Sequence, residues 1–192
     1  MEVQSFKEKI IHLPSNLDQL ELIEQFNNAK NELLEFYTSI PENIFFSKPE
    51  NGWSPQENIK HLYSATFVLA LFIRKELKFL LLLFGRGNSK KSIPEIIKIY
   101  NNKLNSGSGA GFFSPLFASN IIDIGKKNSE IKSLIDSIQE LINVLPSWTD
   151  EELDNTNIVH PILGILSVRE MLYFSLYHLY HHSSKVQMRL NK

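Results

Sequence analysis

Apolar side chains recur every three to four residues in four long segments of the chain, which is the period of helices that bury one face. The predicted long helices cover, in order, residues 16–37, 54–84 and 127–145, and a segment from 167 nearly to the C-terminus. A shorter helix is predicted over residues 93–104, between the second and third long helices. No segment alternates apolar and polar residues convincingly. The pattern therefore predicts an all-α fold, a bundle of four helices with one additional short helix.

Two of these helices carry a clear inward face. In the first, the face consists of Leu20, Ile23, Phe26, Lys30, Leu33, Leu34 and Tyr37. In the third, it consists of Ile131, Leu134, Ile135, Ile138, Leu141, Ile142 and Leu145. The segments between the helices, residues 41–53, 85–125 and 148–161, are expected to be connectors of less regular structure.

Two helix starts have strong sequence signals. Ser54 is followed by Pro55 and Glu57, so the serine can cap the helix, the proline takes its first position and the glutamate completes a capping box. Ser167 and Glu170 repeat the capping-box spacing at the start of the fourth helix.

The composition is that of one ordinary globular domain. The 192 residues are 43% apolar and 21% charged, and we expect a single domain over residues 1–192. The formal net charge of −1 argues against a nucleic-acid partner, which needs a broad basic surface. The chain has no cysteine, which excludes disulfides, thiolate ligands and a cysteine nucleophile. Any thiol chemistry must use a thiol supplied by the substrate.

The location of the protein is predicted from two segments. Residues 1–14 are mostly polar and lack the apolar core of a signal peptide, so we expect a cytoplasmic protein. Residues 67–84 form the most apolar stretch, but four charged residues interrupt it, so no membrane contact is expected. We expect residues 79–84 to be buried in the core or against a second copy of the chain.

Three histidines form the candidate functional site. His178 and His182 are four residues apart, so on a helix they project from one face and can reach one metal ion. His61 is predicted to face the same interior and to supply a third nitrogen. His181 points about 100° away around the helix and is expected to flank the site or face solvent. His160 is expected to be exposed in its loop.

Competing kinds of site find less support in the sequence. An isolated histidine on an apolar face is usually a hydrogen-bonded core residue, and His-x-x-x-His alone does not exclude this for the pair. A di-iron centre needs Glu-x-x-His pairs, which the chain lacks, and no Ser-His-Asp arrangement stands out. The glycine-rich residues 106–111 lack the Gly-Lys-Ser/Thr of a phosphate loop, so they are expected to form a flexible connector.

The donor set predicts the kind of metal. Three neutral imidazoles without a carboxylate suit Zn²⁺, Ni²⁺ or Cu²⁺ better than Mg²⁺ or Ca²⁺, which prefer oxygen. Three protein ligands leave a coordination position open, where a dication can acidify water to a pKa of about 7 or ionise a thiol.

The histidines stand in a combination of motifs that resembles the DinB-like family, also called YfiT-like putative metal-dependent hydrolases. The motifs are Trp53-Ser54-Pro55-Gln56-Glu57 followed by His61-Leu62, the run from His160 to Glu170, and His178-Leu-Tyr-His181-His182. The resemblance implies an antiparallel four-helix bundle, commonly dimeric, with one nickel or zinc ion held by His61, His178 and His182. Some relatives transfer low-molecular-weight thiols such as bacillithiol or mycothiol onto electrophiles.

The leading hypothesis is a metal-dependent transferase or hydrolase in which the metal activates a substrate thiol or water. The alternatives are a non-catalytic bundle, stapled by its metal and serving a protein partner, and a relic site that binds no metal. Glu57, four residues before His61, is a weak candidate for a catalytic base or for orienting His61. Arg169, Tyr177 and Tyr180 are expected either to contact substrate or to pack.

Overall fold

The described part of the chain is overwhelmingly helical, as predicted. A computed structural model describes residues 5–87, 90–107 and 124–191. Its helices are α1 (Phe6–Ile11), α2 (Gln19–Ser39), α3 (Glu42–Phe45), α4 (Pro55–Phe72), α5 (Lys78–Leu81), α6 (Ile93–Asn105), α7 (Ile124–Val144), α8 (Asp150–Asn155) and α9 (Val168–Leu190). Short 3₁₀ turns cover Lys75–Leu77, Leu82–Phe84 and Leu145–Ser147. Two short strands, β1 (Asn157–His160) and β2 (Gly164–Ser167), form an antiparallel hairpin.

The four longest helices surround one hydrophobic core. Helix α4 contacts α7 and α9, and α2 contacts the same two helices from the other side. The short helices α1 and α6 contact α9 as well, so α9 is the element that most of the chain surrounds. The all-α class is therefore confirmed, while the antiparallel four-helix bundle stays a prediction. Among the described residues, none of the helices is both long and apolar enough to span a membrane.

The predicted capping boxes fix the starts of the two helices that carry the histidines. The Ser54 hydroxyl accepts from the Glu57 backbone N–H at 3.1 Å, and the Ser54 N–H donates to the Glu57 carboxylate at 2.7 Å. Ser167 and Glu170 exchange the same two bonds at 3.1 and 2.9 Å. Because each box satisfies backbone N–H groups of the first turn, both helices begin where the sequence predicts.

The prediction that the second helix extends to Phe84 is wrong. Helix α4 ends at Phe72, where the Trp148 indole donates to the Ile73 carbonyl at 2.8 Å. The charged residues that follow interrupt the apolar period, and the chain continues in short helical turns. Leu81 is fully buried, but Phe79, Leu82 and Leu83 are 63%, 59% and 80% exposed. The prediction that residues 79–84 are buried in the core is therefore wrong for most of the segment. Their contact with a second copy of the chain stays a prediction.

The hairpin differs from the connector expected over residues 148–161. Its strands pair Asn157 with Ser167 and His160 with Gly164. Gly164 adopts φ +78° in the turn, a conformation that side chains with a Cβ rarely take. Strands of four residues are too short for alternation to be a clear signal.

Other boundaries differ from the predicted ones by a few residues. Helix α2 begins at Gln19, after an Asp18 cap, and two positions of its predicted inward face, Leu20 and Leu34, are exposed. The predicted short helix over residues 93–104 is confirmed as α6. The flexible connector predicted at residues 106–111 lies, beyond Gly107, outside the described residues, as do residues 88–89 and 108–123 of the irregular region predicted over residues 85–125.

Candidate metal centre

The structure brings the three predicted histidines together. His61 lies in the second turn of α4, and His178 and His182 lie one turn apart in α9. All three side chains are buried, and one ring nitrogen from each lies within 4.8 Å of the others. The ring centroids are 4.6–4.8 Å apart. Among the histidine, aspartate and glutamate side chains of the described residues, these three histidines form the group that is close enough to share one ion.

Two of the donor nitrogens have a spacing that fits a small dication. Two nitrogens that each lie about 2.0–2.1 Å from one ion, at angles between a right angle and the tetrahedral angle, are about 2.9–3.4 Å apart. The Nε2 atoms of His61 and His178 are 3.0 Å apart. This pair is spaced as two ligands of one ion would be, and one nitrogen of His182 lies within 4.8 Å of the chosen nitrogens of the other two rings.

Burial keeps the two α9 imidazoles in the form that a metal needs. Desolvation lowers the pKa of His178 and of His182 well below the usual value, and the neighbouring imidazoles add to the effect because two positive rings would repel. At neutral pH both rings are therefore uncharged, and each retains a nitrogen lone pair.

Asn58 orients one of these rings and is a site residue that the motifs do not predict. Its amide nitrogen donates to the Ser54 and Trp53 carbonyls at 2.8 and 3.2 Å, which turns its oxygen toward His182. That oxygen accepts from His182 Nδ1 at 2.8 Å. The bond fixes the proton on Nδ1 and leaves Nε2 as the donor atom. A signal is present in the sequence, because Asn58 lies three residues before His61 on the same face of α4.

Aromatic rings hold the imidazoles on two sides. Trp53 stacks on His182 with centroids 5.6 Å apart and meets His61 edge-on at 5.0 Å. Phe174 stacks on His178 at 4.9 Å. The aromatic contacts restrict rotation of the three rings, so the nitrogens are positioned before any ligand arrives.

Of the two other histidines near the site, His160 differs from its predicted surroundings. His160 is buried rather than exposed, and its Nδ1 accepts from the Ile162 and Leu163 N–H groups, both at 3.0 Å. His181 flanks the site, as one of its two predicted placements has it, and is partly buried with Nδ1 2.9 Å from the Tyr177 hydroxyl. Burial lowers the pKa of each to about 4. Neither belongs to the converging group.

The weaker candidates have structural roles. Glu57 uses one carboxylate oxygen in the capping box and the other to accept from Lys48 at 3.1 Å. Arg169 pairs with Asp150 and Asp154, and Tyr180 packs its ring near Phe6. These candidates and Tyr177 are not among the described residues that line the cavity beside the histidines, so the contacts favour packing.

That cavity has a volume of about 540 Å³ and is lined mainly by apolar side chains. His61, His178 and His182 form part of its wall together with residues of α4, α6, α9 and the hairpin. Three α4 residues that follow His61 at helical spacing, Ala65, Val68 and Phe72, also line this cavity, and Phe72 is 41% exposed. The histidines are thus buried yet adjoin a space of the size that small molecules occupy.

Comparison with known families agrees with this architecture. The family model of the DinB superfamily matches residues 25–184, which include all three converging histidines. The chain belongs to the DinB superfamily. No curated protein and no solved structure matches it.

Proposed function

We propose that this protein is a metal-dependent transferase or hydrolase, in which His61, His178 and His182 hold one divalent ion, nickel or zinc, beside a substrate cavity. The observation that carries the proposal is the convergence of three buried imidazoles on the wall of that cavity. A purely structural zinc site usually has four protein ligands and is closed, whereas three ligands beside a cavity are typical of a catalytic site.

The bound ion would supply Lewis acidity, which ionises a thiol or water at neutral pH. The chain's own residues supply the rest. Asn58 keeps His182 in the tautomer with Nε2 free, and the stacked rings of Trp53 and Phe174 keep the imidazoles oriented. The apolar cavity wall excludes water around a bound substrate, which strengthens electrostatic interactions inside it.

The proposed substrate is a small molecule, joined in a transferase by a low-molecular-weight thiol as the second reactant. Since the chain contains no cysteine, a thiol nucleophile has to arrive as a substrate. In a transfer, the sulfur forms a bond to an electrophilic carbon and the leaving group departs with the bonding electron pair. In a hydrolysis, a water oxygen takes the place of the sulfur.

The test is a screen of several thiols, and of water alone, against a model electrophile. The protein is purified without a His-tag, its metal content is measured by elemental analysis, and each reaction is run with and without chelator. Turnover that requires both a thiol and bound metal supports a transferase, and metal-dependent turnover without thiol supports a hydrolase. Bound metal without turnover over the whole screen would favour the non-catalytic staple, and absence of metal after reconstitution would indicate a relic site.

Two further expectations belong to the proposal. A homodimer is supported by the exposed apolar side chains of Phe79, Leu82 and Leu83, which a partner subunit would cover. Light scattering coupled to gel filtration tests it, with a twofold mass expected. A cytoplasmic location is also proposed, and cell fractionation tests it.

A further inference from the structure

The cavity beside the histidines is polarised along its length. Trp53, just before α4 begins, accepts a hydrogen bond from Arg189 near the end of α9 at 2.8 Å. The start of α4 therefore lies beside the end of α9. Phe72, at the other end of α4, and Met171, near the start of α9, line the same cavity. The histidines lie between these two ends.

One end of the cavity is cationic. Going along α9, Met171, Ser175, His178, His182, Lys185 and Arg189 recur at alternating steps of four and three, and all of them line the cavity. With a rise of about 1.5 Å per residue, Lys185 and Arg189 lie about 5 and 10 Å beyond His182 along the helix. Met171 lies about 10 Å before His178 in the opposite direction.

No carboxylate balances this charge within the described structure. The described lining residues include Lys185 and Arg189 but neither aspartate nor glutamate. Neither cation forms an ion pair with a carboxylate of the described residues. Partial desolvation, and then the nearby charge of Arg189, lower the pKa of Lys185, although part of its side chain is exposed.

Arg189 is exposed, but it contacts the loop that precedes α4. Besides its bond to the Trp53 carbonyl, its guanidinium lies against the backbone of Gly52. A Cβ at Gly52 would collide with it, and Gly52 has φ +97°, so glycine meets both requirements of this position. The Arg189 guanidinium and the loop before α4 are thus in contact at this end of the cavity.

From this placement we infer that the substrate of the site is an amphipathic anion, with its apolar body against the Phe72 and Met171 end and its anionic group at Lys185 and Arg189. That this ligand is a substrate rests on the proposed function, but its binding to the cavity needs no metal. A cationic ligand would meet uncompensated positive charge, and a sugar would leave its hydroxyls unpaired against an apolar wall. Lys185 and Arg189 lie beyond residue 184, where the match to the family model ends.

The test compares three probes that have an eight-carbon alkyl chain and different head groups: octanoate, octanol and octylammonium. Binding is measured by titration calorimetry on chelator-treated protein, so that a metal cannot attract the carboxylate. Octanoate should bind about tenfold or more tighter than octanol, as expected for one charge-assisted contact, and octylammonium weakest. Lys185→Gln should weaken octanoate about tenfold and leave octanol unchanged. Lys132→Gln, at an exposed lysine of α7, is the matched control and should change neither.

A second variant places the probe in the cavity. Ala65→Phe adds a ring to the cavity wall one turn after His61, and it should weaken octanoate and octanol alike. Equal affinity for the three probes, or an octanoate preference that survives Lys185→Gln and Arg189→Gln, would overturn the inference and leave the cations as solvated charges at a helix end. A preference that occurs only in metal-loaded protein would overturn it too. Failure of the proposed function would appear elsewhere, as absence of metal in elemental analysis.

Discussion

Helix α9 carries two buried polar clusters that differ in how their groups are satisfied. The first half of the helix presents Arg169, which donates to the Leu17 carbonyl at 2.7 Å and to carboxylates of Asp150 and Asp154. The second half presents His178 and His182, whose neutral rings face His61 and a cavity. In the first cluster opposite charges are paired and the N-terminal segment is fixed to α9. In the second, uncharged donors are gathered beside open space.

This difference in how the polar groups are satisfied distinguishes a structural cluster from a candidate metal-binding site. Charges that are paired within the protein have little left to offer a ligand. Imidazoles that are kept neutral by burial and fixed by Asn58 have lone pairs to offer, and only a metal or a proton can use several of them at one point. Variants in the two clusters should therefore have opposite consequences, which the following predictions use.

The largest effect is expected from His178→Ala. Zinc binding to four-ligand structural sites is worth about 10–16 kcal/mol, so one ligand contributes roughly 3–4 kcal/mol and its loss should weaken metal binding by about 10²–10³-fold. Competition titration with a chromophoric chelator measures the affinity. Helical content and cooperative unfolding should persist in the variant, because the buried apolar side chains of the core are unchanged. Loss of cooperative unfolding would instead indicate that the metal is a structural staple.

The opposite result is expected from Arg169→Leu in the first cluster. This variant should lower the free energy of unfolding by about 3 kcal/mol and leave metal affinity unchanged. Removing a cation from a buried cluster leaves its partners unpaired, although the half-exposed Asp150 limits the cost. Urea denaturation measures the change. Arg74→Leu, which breaks the exposed pair with Glu140, is the control and should cost less than about 1 kcal/mol. Metal loss in the Arg169 variant would contradict the separation of the two clusters.

A third prediction concerns pH. Burial lowers the pKa of His160 from 6.5 to about 4. Between these values the unfolded chain binds more protons than the folded one, so stability is full above pH 6.5 and is lost as the pH falls toward 4. The shift corresponds to a loss of about 3 kcal/mol at most.

The variant His160→Asn isolates this contribution, since the asparagine oxygen can accept the two turn N–H bonds without titrating. Urea denaturation of metal-free protein between about pH 4 and 7 should show a shallower acid loss in the variant than in the wild type. Identical pH curves would mean that His160 does not supply the difference.

The smallest of these effects is expected from Asn58→Ala. Loss of the bond that orients His182 should weaken metal binding by about 10–100-fold, less than the loss of a ligand. The control is Asn27→Ala in α2, where the amide bonds the Ile23 carbonyl far from the site and metal affinity should not change. An Asn58 effect as small as that of Asn27 would remove Asn58 from the site.

The sequence predicts the features that lie within single helices well, because they depend on neighbouring residues. The spacing of His178 and His182, and the capping boxes at Ser54 and Ser167, depend on neighbours within one helical turn, which the sequence displays directly. The phase of α4 also places His61 on the inward side. The same phase does not show that Val68 and Phe72 line a cavity rather than a packed core.

The features that the sequence does not predict depend on contacts between distant residues. The Ile73 carbonyl at the end of α4 is bonded by Trp148, and burial of His160 depends on a hairpin whose strands are too short to be recognised. Asn58 looks like an ordinary helix residue until His182 comes beside it. The exposed segment around Leu83 shows the limit of apolar content as a guide to burial.

The most direct test of the metal centre is anomalous X-ray diffraction from crystals of tag-free protein grown with zinc or nickel. We predict one strong peak within about 2.0–2.2 Å of a ring nitrogen of each of His61, His178 and His182. The metal centre is contradicted if metal-soaked crystals show no peak between these rings, or if the ion is bound elsewhere on the chain.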